Sequence, residues 1–333
     1  MDVEEGQRKR KRPDSTALSE SVSPPQVPSQ QRAHQDNSIS NAQKEDGNDE
    51  DDDANRPRNV DKVFYGKSML EAWYYAPLPA EFGEFVERLY VCDRCLKYMH
   101  DQRQMAHHKM RCRSTKFPGR LIYEKEEIKI FEVDGRDHKL FCQNLCLISK
   151  MFLETKTLYY DVEGFVFYIL AEKDGGRDRM VGFFSKEKLS YDNYNLACIM
   201  VLPTHQRKGY GRLLIELSYE ISKHEHKIGS PERPLSALGA AGYRSFWAAA
   251  ITNDMKAHPD QLRVRDISLR TAIHPDDVLS TLEWLGLLRY WKMGSGSPPA
   301  RYAYFSPAML DAAVQSHRLK LDKRIDPSHI RWE

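Results

Sequence analysis

The pattern of hydrophobic and polar positions divides the chain into a polar tail and a patterned remainder. Residues 1–60 contain no Phe, Tyr, Trp or Cys and are rich in Ser, Pro, Gln, Asn and charged residues. Such a segment cannot bury enough apolar surface to offset its chain entropy. We therefore predict a disordered tail over residues 1–60, with order beginning near Val63, where aromatic residues first appear.

Short apolar patterns after residue 118 predict a β-rich core. Apolar residues alternate from Leu121 to Val133, and Asp134-Gly135 is typical of a hairpin turn. Further strands are predicted at Leu158 to Tyr160, Phe165 to Leu170 and Met180 to Phe184, the last two joined by a turn at Asp174-Gly175-Gly176.

An unbroken apolar run from Leu196 to Leu202 indicates a strand buried on both faces. A glycine-containing loop follows it. Four apolar residues at helical spacing then predict an amphipathic helix: Leu213, Leu214, Leu217 and Ile221.

The pattern becomes helical and basic after residue 256. Residues Asp276 to Leu288 place four apolar side chains on one helix face, and aromatic segments follow, which resembles a small winged helix-turn-helix. We therefore predict an entry segment with a cysteine-rich unit over 61–118, a core over 119–255 and a winged-helix-like region over 256–333.

Composition narrows the class of protein. Hydrophobic residues make up 41% and charged residues 29%, with a net charge of +2. No run approaches the roughly 20 apolar residues of a membrane span, and the amino terminus lacks the apolar stretch of a secretory signal. We expect a soluble intracellular protein with no membrane partner, in which cysteines are metal ligands or thiols rather than disulfides. Cys142 and Cys146 share a helix face without a nearby histidine, so we interpret them as core thiols.

Two charge blocks lie in the tail. Residues 8–13, RKRKRP, are typical of a nuclear import signal or a nucleic-acid contact, or of a solvated basic run. Glu50 to Asp53 end an acidic patch that either meets basic protein surfaces or only increases solubility.

Cysteine and histidine spacing predicts a zinc site. Cys92 and Cys95 are separated by two residues, twelve residues follow, and His108 and Cys112 are separated by three. His108 is preferred over His107 because positions i and i+4 share a helix face. Four N and S donors leave no open coordination position, so we expect a structural zinc; unligated buried cysteines are the alternative. One finger rarely gives useful DNA affinity, so at most a weak DNA contact is expected.

The glycine loop that follows the apolar run predicts an anion site. It comprises Gln206, Arg207, Lys208, Gly209, Tyr210, Gly211 and Arg212. Successive backbone N–H groups and the helix N-terminus attract a pyrophosphate, and glycines allow close approach. A dinucleotide fingerprint requires glycine where Leu214 stands, and the Gly-Lys-Ser/Thr of a mononucleotide loop is absent. A purely structural glycine turn remains the alternative.

Several long motifs resemble the MYST histone acetyltransferases. Besides the finger, they are FEVDGRDHKLFCQNLC at 131–146, KTLYYDVEGFVFYIL at 156–170, VGFFSKEK at 181–188, QRKGYGRLLIE at 206–216 and GSPERPLSALG at 229–239. The resemblance covers residues 61–310. The short architecture is similar to the fungal "something about silencing" subgroup.

The resemblance implies an α/β (α+β) fold: an acetyl-CoA-binding N-acyltransferase core with an integral Cys-Cys-His-Cys zinc finger and a C-terminal winged-helix-like segment. It implies Glu232 as the catalytic base, Cys198 as the active-site cysteine and Lys156 as the autoacetylated lysine. Acetyl-CoA is the implied co-substrate, with the loop at 206–212 holding its pyrophosphate. Further implied cofactor contacts are Ile199, Val201, Ser236, Ser245 and Lys292.

Two positions depart from the family pattern. Ala237 stands where Asp is usual, and Gly164 where Pro is usual. Neither removes a catalytic group, but both leave local loop geometry open.

The implied chemistry needs a base. A lysine with a pKa of about 10.4 presents a free amine in roughly one molecule in a thousand at neutral pH. We expect partial burial of Glu232 to raise the pKa of this carboxyl group so that it accepts the proton. Cys198 offers an acetyl-cysteine route, but its apolar surroundings should raise the pKa of its thiol and keep it inert. Direct transfer is therefore favoured, with backbone N–H groups stabilising the oxyanion.

The expected partners are histone tails, nucleosomes and the subunits of a multiprotein acetyltransferase complex, and the expected location is the nucleus. Two other functions stay open: a zinc-finger and winged-helix chromatin-binding protein with little activity, and an acetyltransferase for nonhistone lysines. An inactive scaffold would have lost Glu232 or the loop glycines, and both are present.

Overall fold

The computed structural model describes residues 56–114, 116–154, 160–291, 300–303 and 306–332, with side chains omitted from 289 to 303. The two charge blocks of the tail, Lys156 and Lys292 lie outside the described residues. So does most of the strand predicted from Leu158 to Tyr160, of which only Tyr160 is described, in a bend.

The described segments contain thirteen strands: β1 (Val60–Tyr65), β2 (Ser68–Glu71), β3 (Val86–Val91), β4 (Tyr98–Met99), β5 (Arg120–Lys125), β6 (Ile128–Asp134), β7 (Phe165–Asp174), β8 (Arg177–Glu187), β9 (Tyr194–Leu196), β10 (Ile199–Val201), β11 (Ser230–Pro231), β12 (Leu288–Trp291) and β13 (Ala300–Ala303).

The same segments contain seven α-helices: α1 (Gln102–Arg111), α2 (Lys139–Lys150), α3 (Tyr210–His224), α4 (Ala237–Ala257), α5 (Val264–Thr271), α6 (Pro275–Trp284) and α7 (Pro307–Ser316). Short 3-10 turns lie at Ala80–Phe82, Pro203–His205 and Pro327–His329. In the described part of the chain, no helix is both long and apolar enough to cross a bilayer.

A five-stranded antiparallel sheet in the order β10-β8-β7-β6-β5 forms the centre of the fold. The predicted hairpin of β7 and β8 is confirmed, since the strands pair from Phe165 with Glu187 to Asp174 with Arg177. Gly175 and Gly176 form its two-residue loop, and both have positive φ, as a type I′ turn requires.

The segment from Leu121 to Val133 is a second hairpin, and its turn is not where the sequence predicted it. β5 and β6 pair up to Lys125 and Ile128, and Glu126 adopts a positive φ in the turn. The hairpin predicted at Asp134-Gly135 is wrong: β6 ends there and the chain continues into α2. Gly135 is needed for close approach, because a Cβ at this position would lie 1.9 Å from the Val162 carbonyl oxygen.

Helices cover both faces of the central sheet. On one face, α2 buries Cys142, Leu145 and Cys146 among sheet residues and residues of the smaller sheet β2-β1-β3-β4. The interpretation of Cys142 and Cys146 as core thiols is confirmed, and burial raises the pKa of Cys142 to about 12. On the other face, α3 packs the four predicted apolar positions, including Leu214 and Leu217, against β7 and β8.

The C-terminal region has its own core, formed by α4 to α7. Ile251, Ile267, Val278 and Leu282 belong to one buried cluster, and the antiparallel ribbon of β12 and β13 follows α6. Two helices and a ribbon agree with the predicted winged-helix-like segment. The helix predicted to continue to Leu288 ends at Trp284, because the chain turns at Gly286, whose φ is positive. The predicted boundaries at 60, 118 and 255 stay predictions.

Substitution of Gly135 by Ala tests the close approach. The added methyl group would overlap backbone atoms that cannot rotate away, so we expect the free energy of unfolding to fall by about 3 kcal/mol. Gly164→Ala is the matched control, because a Cβ at Gly164 meets nothing within 4 Å. Urea unfolding of both variants measures the difference; equal stability would contradict this packing.

Candidate active site and zinc centre

The predicted zinc ligands converge at the edge of the smaller sheet. Cys92 follows β3, and Cys95 lies in the turn before β4. His108 lies on α1, and Cys112 is the C-cap of this helix. The four donor atoms all lie within 4.8 Å of one another. Cys95 Sγ is 3.3 Å from His108 Nε2, and the Sγ atoms of Cys92 and Cys112 are 4.0 Å apart.

This donor set fits zinc. Bonds of about 2.3 Å to sulfur and about 2.0 Å to nitrogen place tetrahedral donors roughly 3.5 to 3.8 Å apart, close to these separations. Four protein donors complete the tetrahedron, so the zinc is structural. His108 is the histidine in this cluster, whereas His107 is exposed on the same helix. Arg94 closes the finger by donating to the carbonyl oxygens of Lys109 and Cys112 at 3.3 and 3.2 Å.

The predicted strand from Leu196 to Leu202 is interrupted by a bulge at Ala197 and Cys198. Ser185 of β8 faces both residues: its N–H donates to the Cys198 carbonyl and its carbonyl accepts from the Ala197 N–H, each at 2.8 Å. The Ser185 hydroxyl accepts from the Cys198 N–H at 3.2 Å. β10 stays in the central sheet, whereas β9 pairs in parallel with β11.

The segment after the bulge is fully buried on one face and partly buried on the other. Met200 and Leu202 are buried, but Cys198, Ile199 and Val201 are only partly buried. Met200 and Leu202 belong to the core cluster on one side of the sheet, and Ile199 and Val201 pack against the cluster on the α3 side. Core therefore lies on both faces as predicted, but burial is incomplete on the α3 side, where Ile199 and Val201 stay partly accessible. Cys198, Ile199 and Val201 are the residues that the resemblance assigns to the acetyl end of a cofactor.

The glycine loop lies where the sequence predicted it, between β10 and α3. Gly209 has a φ of 92° and is the N-cap of α3, with no side-chain cap on the helix. The first N–H groups of a helix have no partner within the helix, and its dipole makes this end positive. Arg207 and Lys208 are exposed beside it. The loop therefore offers an anion both backbone donors and positive charge.

Three of the predicted cofactor-contact residues stabilise the loop conformation through hydrogen bonds of their side chains. Gln206 donates to the Val201 carbonyl at 3.1 Å. Burial and a hydrogen bond with Glu172 raise the pKa of Tyr210 to about 12. Arg212 donates to both oxygens of Ser245 at 3.0 and 3.2 Å. Ser245 is thereby placed at the loop, although its own partner is an arginine.

A buried glutamate that the sequence analysis missed joins the loop to the C-terminal segment. Glu216 on α3 is 3% exposed and accepts from Arg212 Nε at 2.6 Å. It also accepts from the backbone N–H groups of Arg324 and Ile325 at 2.6 and 2.8 Å. Its position between the buried Ile215 and Leu217 was an available signal, since a charge within an apolar run needs partners.

The segment that carries Glu232 is held on β9. Ser230 and Pro231 form β11, and the Glu232 N–H donates to the Leu196 carbonyl at 2.9 Å. The backbone of Glu232 is thus attached two residues before Cys198. The Glu232 side chain is exposed, so the prediction of its partial burial is wrong. The pairing with β9 ends there, and the next two residues are exposed as well.

Ser236 and Ala237, which follow this segment, form the start of α4. The Ser236 hydroxyl accepts from the Gly239 N–H at 3.1 Å and caps the helix. Ala237, one of the departures from the family pattern, is the first residue of α4 and favours helix. The structure therefore gathers the bulge, the glycine loop and the Glu232 segment around β9 and β10, while the predicted roles of Lys156 and Lys292 stay predictions.

A mixed α/β fold with a glycine loop after an edge strand of its central sheet, joined to a Cys-Cys-His-Cys finger, agrees with an acetyltransferase core. A family model described as "MOZ/SAS family" matches residues 116–330. A second, described as "MYST family zinc finger domain", matches residues 57–112. The chain belongs to the MOZ/SAS family.

Curated relatives carry related names. The chain is 42% identical over 287 residues to "Histone acetyltransferase Tip60 homolog" of Caenorhabditis elegans, covering 85% of this chain and 61% of that protein. It is 45% identical over 237 residues to "Histone acetyltransferase mst1" of Schizosaccharomyces pombe, covering 71% and 51%. It is 47% identical over 235 residues to "Histone acetyltransferase MOF" of Drosophila melanogaster, covering 70% and 28%. The chain thus spans less than two thirds of the length of each relative.

Cys112→Ser tests the zinc centre. We expect zinc content to fall from about one ion per chain and the thermal midpoint to fall with it, because three donors hold the finger more weakly than four. His107→Ala should keep both values. Metal analysis and thermal unfolding provide the measurement, and full zinc content in Cys112→Ser would show that Cys112 is not a ligand.

Glu216→Ala tests the hydrogen bonds by which this buried carboxylate joins Arg212 to the backbone of Arg324 and Ile325. Loss of a buried carboxylate leaves Arg212 and two backbone donors unpaired, so we expect the free energy of unfolding to fall by about 3 kcal/mol or more. Glu220→Ala on the same helix should cost less than about 1 kcal/mol, because among the described residues Glu220 forms ion pairs with the more exposed Lys223 and Lys323. Chemical denaturation measures the free energy of unfolding of both variants, and a similar decrease in the two would contradict this role of Glu216.

Proposed function

We propose that this chain transfers the acetyl group of acetyl-CoA to lysine side chains of histones. The observation that carries the proposal is the attachment of the Glu232 backbone to β9, next to the bulge that leads through β10 to the glycine loop. A pyrophosphate at the loop and a carboxylate at the bulge are the two ends of the same site. The names of the curated relatives support histones as the substrate.

In this proposal the glycine loop binds the cofactor. The unpaired N–H groups at the start of α3 and the side chains of Arg207 and Lys208 bind the diphosphate. Ile199 and Val201 line the path toward the acetyl group. Gln206, Tyr210 and Arg212 contribute through the loop conformation that their side chains maintain.

Glu232 accepts the proton of the substrate amine. Removing that proton costs about 4 kcal/mol at neutral pH, and a positioned base recovers much of this cost during attack. The amine nitrogen attacks the thioester carbonyl, the carbon–sulfur bond breaks, and coenzyme A leaves as a thiolate that takes up a proton. Since Glu232 is exposed, any desolvation of this carboxylate comes from the bound substrate and cofactor.

Direct transfer is the proposed route. It uses Glu232 alone as the proton acceptor, whereas an acetyl-cysteine route would require Cys198 as a nucleophile. The Cys198 N–H already donates to Ser185, so donors to the oxyanion must come from other groups. Cys198 then contributes the shape of the bulge.

Chromatin is the proposed setting. Histone tails, nucleosomes and the subunits of an acetyltransferase complex are the proposed partners, the nucleus is the proposed location, and any DNA contact is weak. Arg and Lys clusters in the tail agree with this setting. Acetylation of nonhistone lysines would use the same site, and the choice between substrates is an outcome of the experiment below.

Glu232→Gln tests the base. We expect kcat to fall about 100-fold or more, because general bases contribute roughly 100- to 10,000-fold. The thermal midpoint should not change, since Glu232 is exposed. Glu127→Gln, which changes an exposed glutamate in the β5–β6 turn, should keep full activity.

Labelled acetyl-CoA, nucleosomes and a nonhistone protein are supplied, and modified lysines are mapped by mass spectrometry. Full activity of Glu232→Gln would rule out the base; label only on the nonhistone protein would rule out histones.

Cys198→Ala separates the two routes. Direct transfer predicts that this variant retains kcat within a few-fold, because the thiol takes no part in bond formation. A loss as large as that of Glu232→Gln, with an intact fold by circular dichroism, would favour the acetyl-cysteine route.

A further inference from the structure

A buried aspartate contacts the residues on either side of Glu232. Asp277 lies in the first turn of α6, and its side chain is only 4% exposed. One of its carboxylate oxygens accepts from the Ser230 hydroxyl at 2.7 Å. The other accepts from the Arg233 guanidinium. Asp277 therefore holds a residue two positions before Glu232 and the residue directly after it.

The backbone of Gly229, at the start of this segment, is attached to the turn that leads into the same helix. The Gly229 N–H donates to the Ala272 carbonyl at 2.9 Å, and the His274 N–H donates to the Gly229 carbonyl at 3.1 Å. His274 is the N-cap of α6. The segment therefore lies between β9, which holds the Glu232 N–H, and the start of α6.

The buried charge of Asp277 has an energetic cost that packing does not explain. The pKa of this carboxyl group is raised, because burial raises it more than the hydrogen bond from Ser230 and the charge of Arg233 lower it. A buried ion pair is often no more stabilising than apolar residues of the same volume. What a buried ion pair does provide is a defined geometry, because the two charged groups must meet at a hydrogen-bond distance.

We propose that Asp277 is a positioning residue for Glu232. It binds the side chains of residues on both sides of Glu232, the Ser230 hydroxyl and the Arg233 guanidinium, and so restrains the segment that carries the carboxylate. Arg233 is further oriented by the ring of Trp247, whose centroid is 6.0 Å from the guanidinium carbon. The C-terminal region thereby contributes to catalysis without contacting the reacting atoms. This inference rests on the proposed role of Glu232.

Asp277→Asn is the central variant, because it keeps the shape of the side chain and removes the charge. A displacement of about 1 Å in a catalytic group lowers rates by up to about 100-fold. We expect kcat to fall about 10- to 100-fold, with the KM for acetyl-CoA changed less than about three-fold. Steady-state kinetics with full-length protein and nucleosomes measure both values.

Asp254→Asn is the matched control. Asp254 on α4 is also a nearly buried carboxylate, 8% exposed, and binds Arg270 of α5 through two hydrogen bonds of 2.8 Å. Its variant should lower the thermal midpoint by a similar amount and leave kcat within about two-fold, because Arg270 is not part of the Glu232 segment. An equal loss of kcat in both variants would show a merely structural effect and overturn the proposal.

A double variant shows whether Asp277 acts through Glu232. In a Glu232→Gln background, Asp277→Asn should lower the residual rate by less than about two-fold, because residues that act as a unit are not additive. A full additional loss would overturn the proposal, and so would Asp277→Asn with normal kcat. If Glu232→Gln itself is fully active, the proposed function fails first, and the single variants identify that failure.

Ser230→Ala and Arg233→Gln keep the test decisive if Asp277→Asn does not fold. Each removes one partner of Asp277 at a position that is less buried. Each should lower kcat by several-fold without changing the KM for acetyl-CoA, and normal kcat in both would overturn the proposal.

Discussion

The three hydrogen bonds that join Ser185 to Ala197 and Cys198 are the constraint on which the site depends. Because Ser185 faces both Ala197 and Cys198, a seven-residue apolar segment cannot continue as one strand of the sheet. Its second half stays paired with β8, and its first half turns to β11. The bulge therefore leaves Cys198 only partly buried and gives the Glu232 segment an edge to pair with. The accessibility of Cys198 and the attachment of the Glu232 segment have the same structural cause.

Two buried carboxylates then hold the loops that surround this bulge. Glu216 connects the glycine loop to the C-terminal segment, and Asp277 connects the Glu232 segment to α6. In each case a charge in the interior has donors from segments distant in sequence. Burying such a charge is costly, but a satisfied network specifies one arrangement. The loops at this site therefore depend on packed helices, although they lie at the surface.

Local signals in the sequence predicted those features that depend on local geometry. The choice of His108 followed from the i and i+4 spacing on one helix, and the Gly175-Gly176 turn from the φ values that such a hairpin needs. The bulge was not predictable, because Ser185 is distant in sequence and an apolar run looks the same with or without an interruption. The exposure of Glu232 likewise depends on where the pairing with β9 ends. The glycine of Asp134-Gly135 was misinterpreted as a turn because close approach to Val162 leaves no local pattern.

The central claim is that one site joins a diphosphate at the glycine loop to a base at the bulge. A crystal structure with a lysine–coenzyme A bisubstrate analogue tests it most directly. The account predicts diphosphate oxygens in hydrogen-bond contact with backbone N–H groups between Gly209 and Arg212. It also predicts the lysine nitrogen within about 3 Å of the Glu232 carboxylate, or one water away. A bound analogue with its diphosphate elsewhere, or with Glu232 directed away from that nitrogen, would contradict it.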